Sequence, residues 1–287
     1  MVVFPHNFPS SGTWGVSRPR VDDSYSGLTR AGEGEHLLVH DTKCPNENRV
    51  SNFNANSGQV ENVQIDWKRT AQPEDLEAVA YVDGQQGQYL AAEGSQYNGR
   101  TPHLFLFNYA DGEGESLKRF DLPKLPYEIE GMVTKQRADG DVLVVLGGRG
   151  DEVSAEGRLH WGLYDPEAQS LEWSPAGTAG VPVTMPEHLA PNERPIADLH
   201  LDASGELWAA GCVDNGNEGP FESLVYRVGK LDPDSRNPIH LTLDLPIHVR
   251  GDKVEALDSN AADSNRLLLG TDNESFGGSL QSLLTAS

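Results

Sequence analysis

Acidic residues recur along this chain of 287 residues at the points where short apolar segments begin. The residues that share this position are Glu77, Glu130, Asp198 and Glu255. A second polar set stands where the following apolar segment ends, and its members are Asp41, Lys43, Glu93, Arg149, Asp214, Asp272 and Asn273. In an antiparallel pair of strands, the start of the first strand lies beside the end of the second. The sequence therefore predicts that both sets converge on one surface of the protein.

Carboxylates that converge in this way favour a bound cation. Like charges held close together raise one another's pKa unless a metal ion or a basic side chain compensates them. Oxygen ligands of this kind suit Ca²⁺ best, followed by Mg²⁺ or Mn²⁺. The predicted metal ligands are Asp41, Glu93, Glu130, Asp198 and Asp272. Zinc is not expected, because His40, His103 and His200 stand singly rather than in a cluster with cysteine.

Three residues are the candidates for catalysis. Glu77 and Glu255 are candidate bases, and Arg149, which has glycines on both sides, is the candidate clamp for an anion. The predicted substrate contacts are Lys43, Arg149 and Asn273. No serine-nucleophile, phosphate-loop or dinucleotide motif is present in the sequence. A structural interpretation stays open, in which the glutamates cap backbone amides of neighbouring segments and Asp272 and Asn273 only form a turn.

The elements that must position these residues form five repeats. The register marks Gly27, Glu77, Glu130, Asp198 and Glu255 are separated by 50, 53, 68 and 57 residues. Four short strands with turns fit such a unit, and the period is close to that of kelch-type propellers. We therefore predict one all-β domain over residues 1–287, a five-bladed β-propeller with four-stranded antiparallel blades, and six blades as the alternative. The predicted blades span residues 25–67, 75–122, 128–173, 196–245 and 253–284.

Three further segments decide how the ring is connected and closed. The last unit is one strand short, so an N-terminal strand at Thr13–Ser17 is predicted to complete it and to remove an open sheet edge. The amide-rich segment Asn46–Ser57 is interpreted as a surface loop, and Val60–Trp67 as an edge strand of the first blade. Residues Pro175–Pro195 are interpreted as an irregular excursion that is too polar and too rich in proline for a helix.

The net charge of −22 limits the partners that the chain is expected to have. Nucleic-acid binding needs a basic patch, and an anionic membrane surface would repel this protein. No signal peptide is visible, and no apolar run approaches the ~20 residues that span a bilayer. These features favour a cytoplasmic protein, or a periplasmic or secreted one whose leader has been removed. The expected partner is a small anionic ligand or a protein at the mouth of the channel.

The order of several short motifs resembles a known family. These motifs are Tyr25-Ser26-Gly27-Leu28, Leu38-Val39-His40-Asp41, Leu76-Glu77-Ala78-Val79, Ala92-Glu93-Gly94, Ile129-Glu130-Gly131-Met132, Ala197-Asp198-Leu199, Val254-Glu255-Ala256-Leu257 and Thr271-Asp272-Asn273. Together they resemble the "esterase-like activity of phytase" propeller family from about Tyr25 to Gly278, and the segment Glu130–Gly150 is also similar to related uncharacterised propellers. The resemblance implies a β-propeller, a Ca²⁺ requirement and hydrolysis of phosphoester or ester bonds. The alternative is a non-catalytic propeller that binds a ligand or a protein at the channel mouth or through residues 175–195.

Overall fold

The protein is a ring of five β-sheets, which a computed structural model describes for residues 24–45, 47–94, 101–125, 127–150, 156–189, 192–259 and 266–284. Blade 1 comprises β1 (Gly27–Gly32), β2 (Glu35–Val39), β3 (Val50–Asn54) and β4 (Gln59–Asn62). Blade 2 comprises β5 (Gln64–Asp66), β6 (Leu76–Tyr81), β7 (Gln88–Glu93), β8 (His103–Ala110) and β9 (Glu113–Asp121). Blade 3 comprises β10 (Ile129–Gln136), β11 (Val142–Gly148), β12 (Gly157–Asp165), β13 (Ser170–Glu172) and β14 (Val181–Val183).

The remaining two sheets complete the ring. Blade 4 comprises β15 (Glu193–Leu201), β16 (Glu206–Val213), β17 (Glu222–Leu231) and β18 (Ile239–Arg250). Blade 5 comprises β19 (Val254–Ser259), β20 (Arg266–Asp272) and β21 (Gly278–Leu284). The innermost strands β1, β6, β10, β15 and β19 contact one another in that order, and β19 returns to contact β1. Five blades are therefore confirmed, and the six-blade alternative is wrong.

The second strand of a blade is apolar because neighbouring blades pack against both of its faces. Every residue of β11 is buried, and this strand is rich in valine and leucine. The outer strand β9 instead alternates between exposed and less exposed positions. The same kind of packing seals the ring, since Leu28 and Phe53 of blade 1 lie in one apolar cluster with Ala256 and Leu268 of blade 5. The repeated apolar segments in the sequence mark these inner strands.

The outer parts of the blades differ from the prediction in three places. The segment interpreted as a loop contains β3, which pairs with β2 because Val50 and Phe53 are buried in the core. The predicted edge strand is divided, and its second part, β5, pairs in parallel with β9 of blade 2. The proline-rich excursion holds a short helix, α1 (Pro175–Ala179), capped by Ser174, and β14 then pairs with β12. The predicted closing strand Thr13–Ser17 lies outside the described residues.

The structure also bears on membrane spans and on the two cysteines. Within the described ranges, no helix is long and apolar enough to cross a membrane. Both cysteines are free: Cys44 is exposed, and Cys212 is buried in β16 as a small core side chain. Burial raises the pKa of the Cys212 thiol to about 12, so this residue stays a neutral packing group.

Candidate functional site

A β-bulge at the start of the inner strand directs one glutamate from each of three blades to the same end of the channel. The antiparallel register shifts at Glu77 in blade 2, at Glu130 in blade 3 and at Glu255 in blade 5. Such a bulge redirects the side chain of the extra residue. Blade 1 has Gly27 at the corresponding position, where a Cβ atom would lie 3.1 Å from the carbonyl oxygen of Glu77. The repeated glutamate therefore marks a repeated local distortion of the strand.

We call this end of the channel the acidic mouth. Its residues are Asp41, Lys43, Asp75, Glu77, Glu128, Glu130, Arg149, Arg194, Asp214, Lys253, Glu255, Asp272 and Glu274. Carboxylate oxygens of Asp41, Asp75 and Glu77 lie within 4.8 Å of one another. The ammonium of Lys43 lies 2.6 Å from Asp75 Oδ1 and 3.7 Å from Asp41 Oδ2. Blades 1 and 2 thus bring three carboxylates and one ammonium to a single point.

The side chain of Glu77 has no hydrogen bond or ion pair with any residue in the described part of the chain. Burial raises the pKa of Glu77 well above its usual value, and the nearby carboxylates of Glu130, Asp75 and Asp41 raise it further. The position of the side chain depends on Gly94, where a Cβ atom would lie 2.2 Å from Glu77 Cγ. Glu77 is therefore set to keep its proton at a pH at which an ordinary glutamate is ionised.

A buried arginine fixes the loop that carries Asp41 and Lys43. Arg49 is only 3% exposed, and it donates hydrogen bonds to the carbonyl oxygens of Pro73 and Cys44, both at 2.8 Å. Pro73 belongs to the connection that leads into β6, whereas Cys44 belongs to the loop after β2. Arg49 thereby ties the segment bearing Asp41 and Lys43 to the segment that leads to Glu77.

Blade 3 contributes an ion-paired carboxylate to the acidic mouth. Arg149 Nη1 lies 3.0 Å from Glu130 Oε1, and the same guanidinium contacts Glu128. Burial raises the pKa of Glu130 to about 7, although the positive charge of Arg149 opposes the shift. Arg149 lies in the channel mouth as predicted, but its charge is already engaged by two glutamates.

Blade 5 repeats this arrangement with a lysine. Lys253 is 4% exposed, and its Nζ lies 2.8 Å from Glu255 Oε1 and 2.6 Å from Glu274 Oε1. Burial raises the pKa of Glu255 to about 8, and the shared ammonium only partly compensates it because Glu274 and Asp272 lie close by. Burial also raises the pKa of Asp272. The predicted base Glu255 is therefore a partner of Lys253.

Two of the predicted metal ligands hold backbone amides instead of facing the centre of the acidic mouth. Asp198 accepts hydrogen bonds from the amide of Leu257 at 2.6 Å and from that of the next residue at 2.7 Å, so it joins blade 4 to blade 5. Glu93 accepts from the amides of Glu74 and His103, and from His103 Nδ1, all at 3.0 Å. For these two residues the geometry matches the structural interpretation of the carboxylates.

The turn after β20 is also internally bonded. Asn273 Oδ1 accepts a hydrogen bond from the amide of Lys253 at 2.8 Å, and Asn273 Nδ2 donates to Asp252 Oδ1 at 2.7 Å. Asp272 Oδ1 accepts from the amide of Glu274 at 2.9 Å. Both ends of the Asn273 amide are therefore engaged within the turn. Among the predicted substrate contacts, Lys43 is the one that contacts Asp75, a carboxylate neighbour of Glu77.

Several residues of the acidic mouth were not singled out from the sequence. They are Asp75, Glu128, Arg194, Lys253 and Glu274. Three of them, Asp75, Glu128 and Lys253, stand two positions before a marked glutamate, in the connection that leads into the inner strand. Arg194 has no such signal, and it pairs with Asp214, which directly follows the adjacent strand β16. The shared spacing of two residues before each glutamate was the clue that the sequence offered.

Comparison with known proteins shows the fold. No family model matches this sequence, and no curated protein matches it. A putative glycoside hydrolase from Parabacteroides distasonis ATCC 8503 has a TM-score of 0.53 at 12% identity, covering 96% of this chain and 95% of that one. A xylan beta-1,4-xylosidase from Bacillus halodurans C-125 has a TM-score of 0.51 at 14% identity, covering 88% of this chain and 49% of that one. A thermostable family-43 glycoside hydrolase has a TM-score of 0.51 at 8% identity, covering 90% and 88%.

The acidic mouth combines the groups that acid–base chemistry needs. Glu77, whose pKa is raised, stands beside the ion pair of Lys43 and Asp75. The oxygens of Asp41, Asp75 and Glu77 also fit a hard divalent cation, which takes oxygen ligands at about 2.3–2.6 Å. A cation there would have to displace Lys43 from Asp75 or share that carboxylate with it.

Proposed function

We propose that this protein is a hydrolase that cleaves an ester or phosphoester bond at its acidic mouth with the help of Ca²⁺. The observation that carries the proposal is the unpaired carboxyl group of Glu77, which lies within 4.8 Å of Asp41 and Asp75. A carboxyl group with a raised pKa is suited to proton transfer near neutral pH. The motif resemblance to phytase-like propellers favours a phosphoester among the possible substrates.

Each group has a defined part in this proposal. Glu77 donates its proton to the leaving oxygen, which differs from the role of base that the sequence suggested. Lys43 and Arg149 attract the anionic substrate and offset the charge that develops during the reaction. Asp41 and Asp75 are the residues that would hold the cation, and a bound cation would supply polarisation of the scissile group and activation of water.

The substrate class is open to direct assay. Chromogenic p-nitrophenyl phosphate, acetate and glycosides would be tested with millimolar Ca²⁺ and with chelator, and the glycosides are included because fold neighbours are named as glycoside hydrolases. We expect turnover of the phosphate or the acetate that requires Ca²⁺ and that falls at least 100-fold in Glu77→Gln. The matched control is Glu167→Gln, which changes an exposed carboxylate in a turn of blade 3 and should leave turnover unchanged.

A second candidate is a non-catalytic propeller that binds an anionic ligand at the acidic mouth. It is favoured by the engagement of Glu93 and Asp198 with backbone amides, because these carboxylates join strands rather than face a substrate. No turnover of any of the three substrate classes, combined with saturable binding of inorganic phosphate that is lost in Lys43→Met, would select this candidate over the hydrolase.

A further inference from the structure

The other end of the channel, which we call the far mouth, opens into a cleft between blades 1 and 2. The far mouth is lined by Thr29, Arg30, Tyr81, Asp83, Lys135, His200 and Asp258. An axial cavity of about 250 Å³ lies there, and a cleft of about 730 Å³ adjoins it, with Arg30, Tyr81 and Asp83 in the walls of both. The cleft lies within the size range of about 300–1,000 Å³ in which small ligands bind.

Three tyrosines from consecutive strands of blade 2 form one wall of this cleft. Tyr81 ends β6, Tyr89 lies near the start of β7 and Tyr109 lies near the end of β8. The rings of Tyr81 and Tyr89 meet edge to face at 5.7 Å, and those of Tyr89 and Tyr109 do so at 6.2 Å. Tyr89 and Tyr109 are buried in the core cluster of the blade, so this aromatic wall is rigid before any ligand arrives.

Unpaired polar groups of both signs also line this cleft. Glu35, Gln86 and Asp111 have no side-chain hydrogen bond or ion pair with the residues that the structure describes. Arg30 is exposed, and in the same described part of the chain its guanidinium makes one long hydrogen bond, 3.4 Å to the carbonyl oxygen of Gly32, and no ion pair. Asp83 differs, because Lys135 lies 3.2 Å from it. The cleft therefore offers free acceptors and a free donor side by side.

We propose that the cleft between blades 1 and 2 binds a neutral carbohydrate. A sugar hydroxyl donates one hydrogen bond and accepts others, so it suits neighbouring carboxylate, amide and guanidinium groups. The carbon-bound hydrogens of the sugar ring form an apolar surface that packs on aromatic side chains such as Tyr81. An anionic ligand would be repelled by Glu35 and Asp111 and a cationic ligand by Arg30, whereas a neutral ligand is repelled by neither.

The site is tested with oligosaccharides as the probes. A printed array of neutral oligosaccharides identifies a binder, and titration calorimetry then gives its Kd for the full chain and for variants. We expect the affinity to fall at least tenfold in Arg30→Ala and in Tyr81→Ala. The control is Glu77→Gln, which alters the acidic mouth and should bind the sugar with unchanged affinity, so the result does not depend on the proposed hydrolase.

Each outcome decides the proposal. Binding that is lost in Arg30→Ala and Tyr81→Ala and kept in Glu77→Gln supports it. It is overturned by the absence of binding to any neutral oligosaccharide, by binding that persists in Arg30→Ala, or by binding that only Glu77→Gln abolishes. If Tyr81→Ala does not fold, Glu35→Gln replaces it, because Glu35 is half-buried and makes no described bond that folding requires.

Discussion

At the two mouths of the channel, the surroundings shift the pKa of a carboxyl group in opposite directions. At the acidic mouth, burial and neighbouring carboxylates raise the pKa of Glu77 well above its usual value. At the far mouth, Asp258 lies 3.0 Å from His36 Nδ1 and 3.0 Å from His200 Nδ1. Burial alone would raise the pKa of Asp258, but hydrogen bonds from both imidazoles hold it well below the usual range. Asp258 is buried and Glu77 is half-buried, so the bonding partners rather than burial alone decide the direction in which each pKa shifts.

This difference separates the buried Asp258, which has bonding partners, from Glu77, the acid of the proposed reaction. Asp258 has an imidazole on each oxygen, and the three residues of this cluster, His36, His200 and Asp258, come from blades 1, 4 and 5 respectively. Glu77 has neighbours of its own charge and no bonding partner within the described residues. We infer that Asp258 contributes to the closure of the ring, whereas Glu77 is held in an environment that favours proton transfer.

The largest expected effect is at the far mouth. Asp258→Ala leaves His36 and His200 without their shared partner, and removal of one member of a buried ion pair lowers the free energy of unfolding by about 3–5 kcal/mol. Urea unfolding followed by tryptophan fluorescence measures this change. A loss below about 1 kcal/mol would contradict the role of Asp258 in ring closure, since that is the range of an exposed ion pair.

The next effect concerns the loop of the acidic mouth. Arg49→Met removes hydrogen bonds to the carbonyl oxygens of Pro73 and Cys44, and the unsatisfied buried acceptors should lower the free energy of unfolding by about 3 kcal/mol. Hydrogen exchange should become faster in residues 41–45. The control is Arg69→Met, which breaks an exposed pair with Glu115 and should change stability by less than about 1 kcal/mol. Equal losses in the two variants would argue against the bridging role of Arg49.

Stabilisation by Ca²⁺ should depend on the acidic mouth and not on the far mouth. If Ca²⁺ binds only the native protein, a hundredfold excess over its Kd adds about 2.7 kcal/mol to the free energy of unfolding. The melting temperature of chelator-treated protein should then rise by about 5 °C. The rise should persist in Arg30→Ala at the far mouth and disappear in Asp41→Asn. An unchanged melting temperature in wild-type protein would remove Ca²⁺ from the proposed mechanism.

The smallest effect is a change in the pH dependence of stability. Glu77 has a raised pKa in the folded state, so the folded protein binds more protons than the unfolded protein once the pH exceeds the usual value of 4.5. Its contribution to stability is therefore complete below that pH and is lost as the pH rises through the folded pKa. Glu77→Gln should gain stability relative to wild type as the pH increases from 4.5 toward 8, measured by urea unfolding. A constant difference across this range would show that the pKa of Glu77 is not raised.

The sequence predicted the repeats and the acidic mouth because both follow from local rules. Antiparallel pairing alone placed Glu130 and Arg149 at the same end of the channel, and they form an ion pair. The same rule also selected Glu93, but it could not predict that Glu93 would bond to amides within its own blade. The outer strands were harder to predict. For example, β5 joins the sheet of blade 2 through a parallel pairing that no sequence pattern predicts.

The sequence by itself determined the five units, their apolar inner strands and the end of the channel at which most carboxylates gather. These properties depend on residues that are close in the chain and on the period of two in a strand. Only the tertiary structure decided which carboxylates have partners. His36 and Asp258 are 222 residues apart and meet because closure of the ring places blade 1 beside blade 5. The pKa of a buried carboxyl group depends on such neighbours, and no local pattern specifies them.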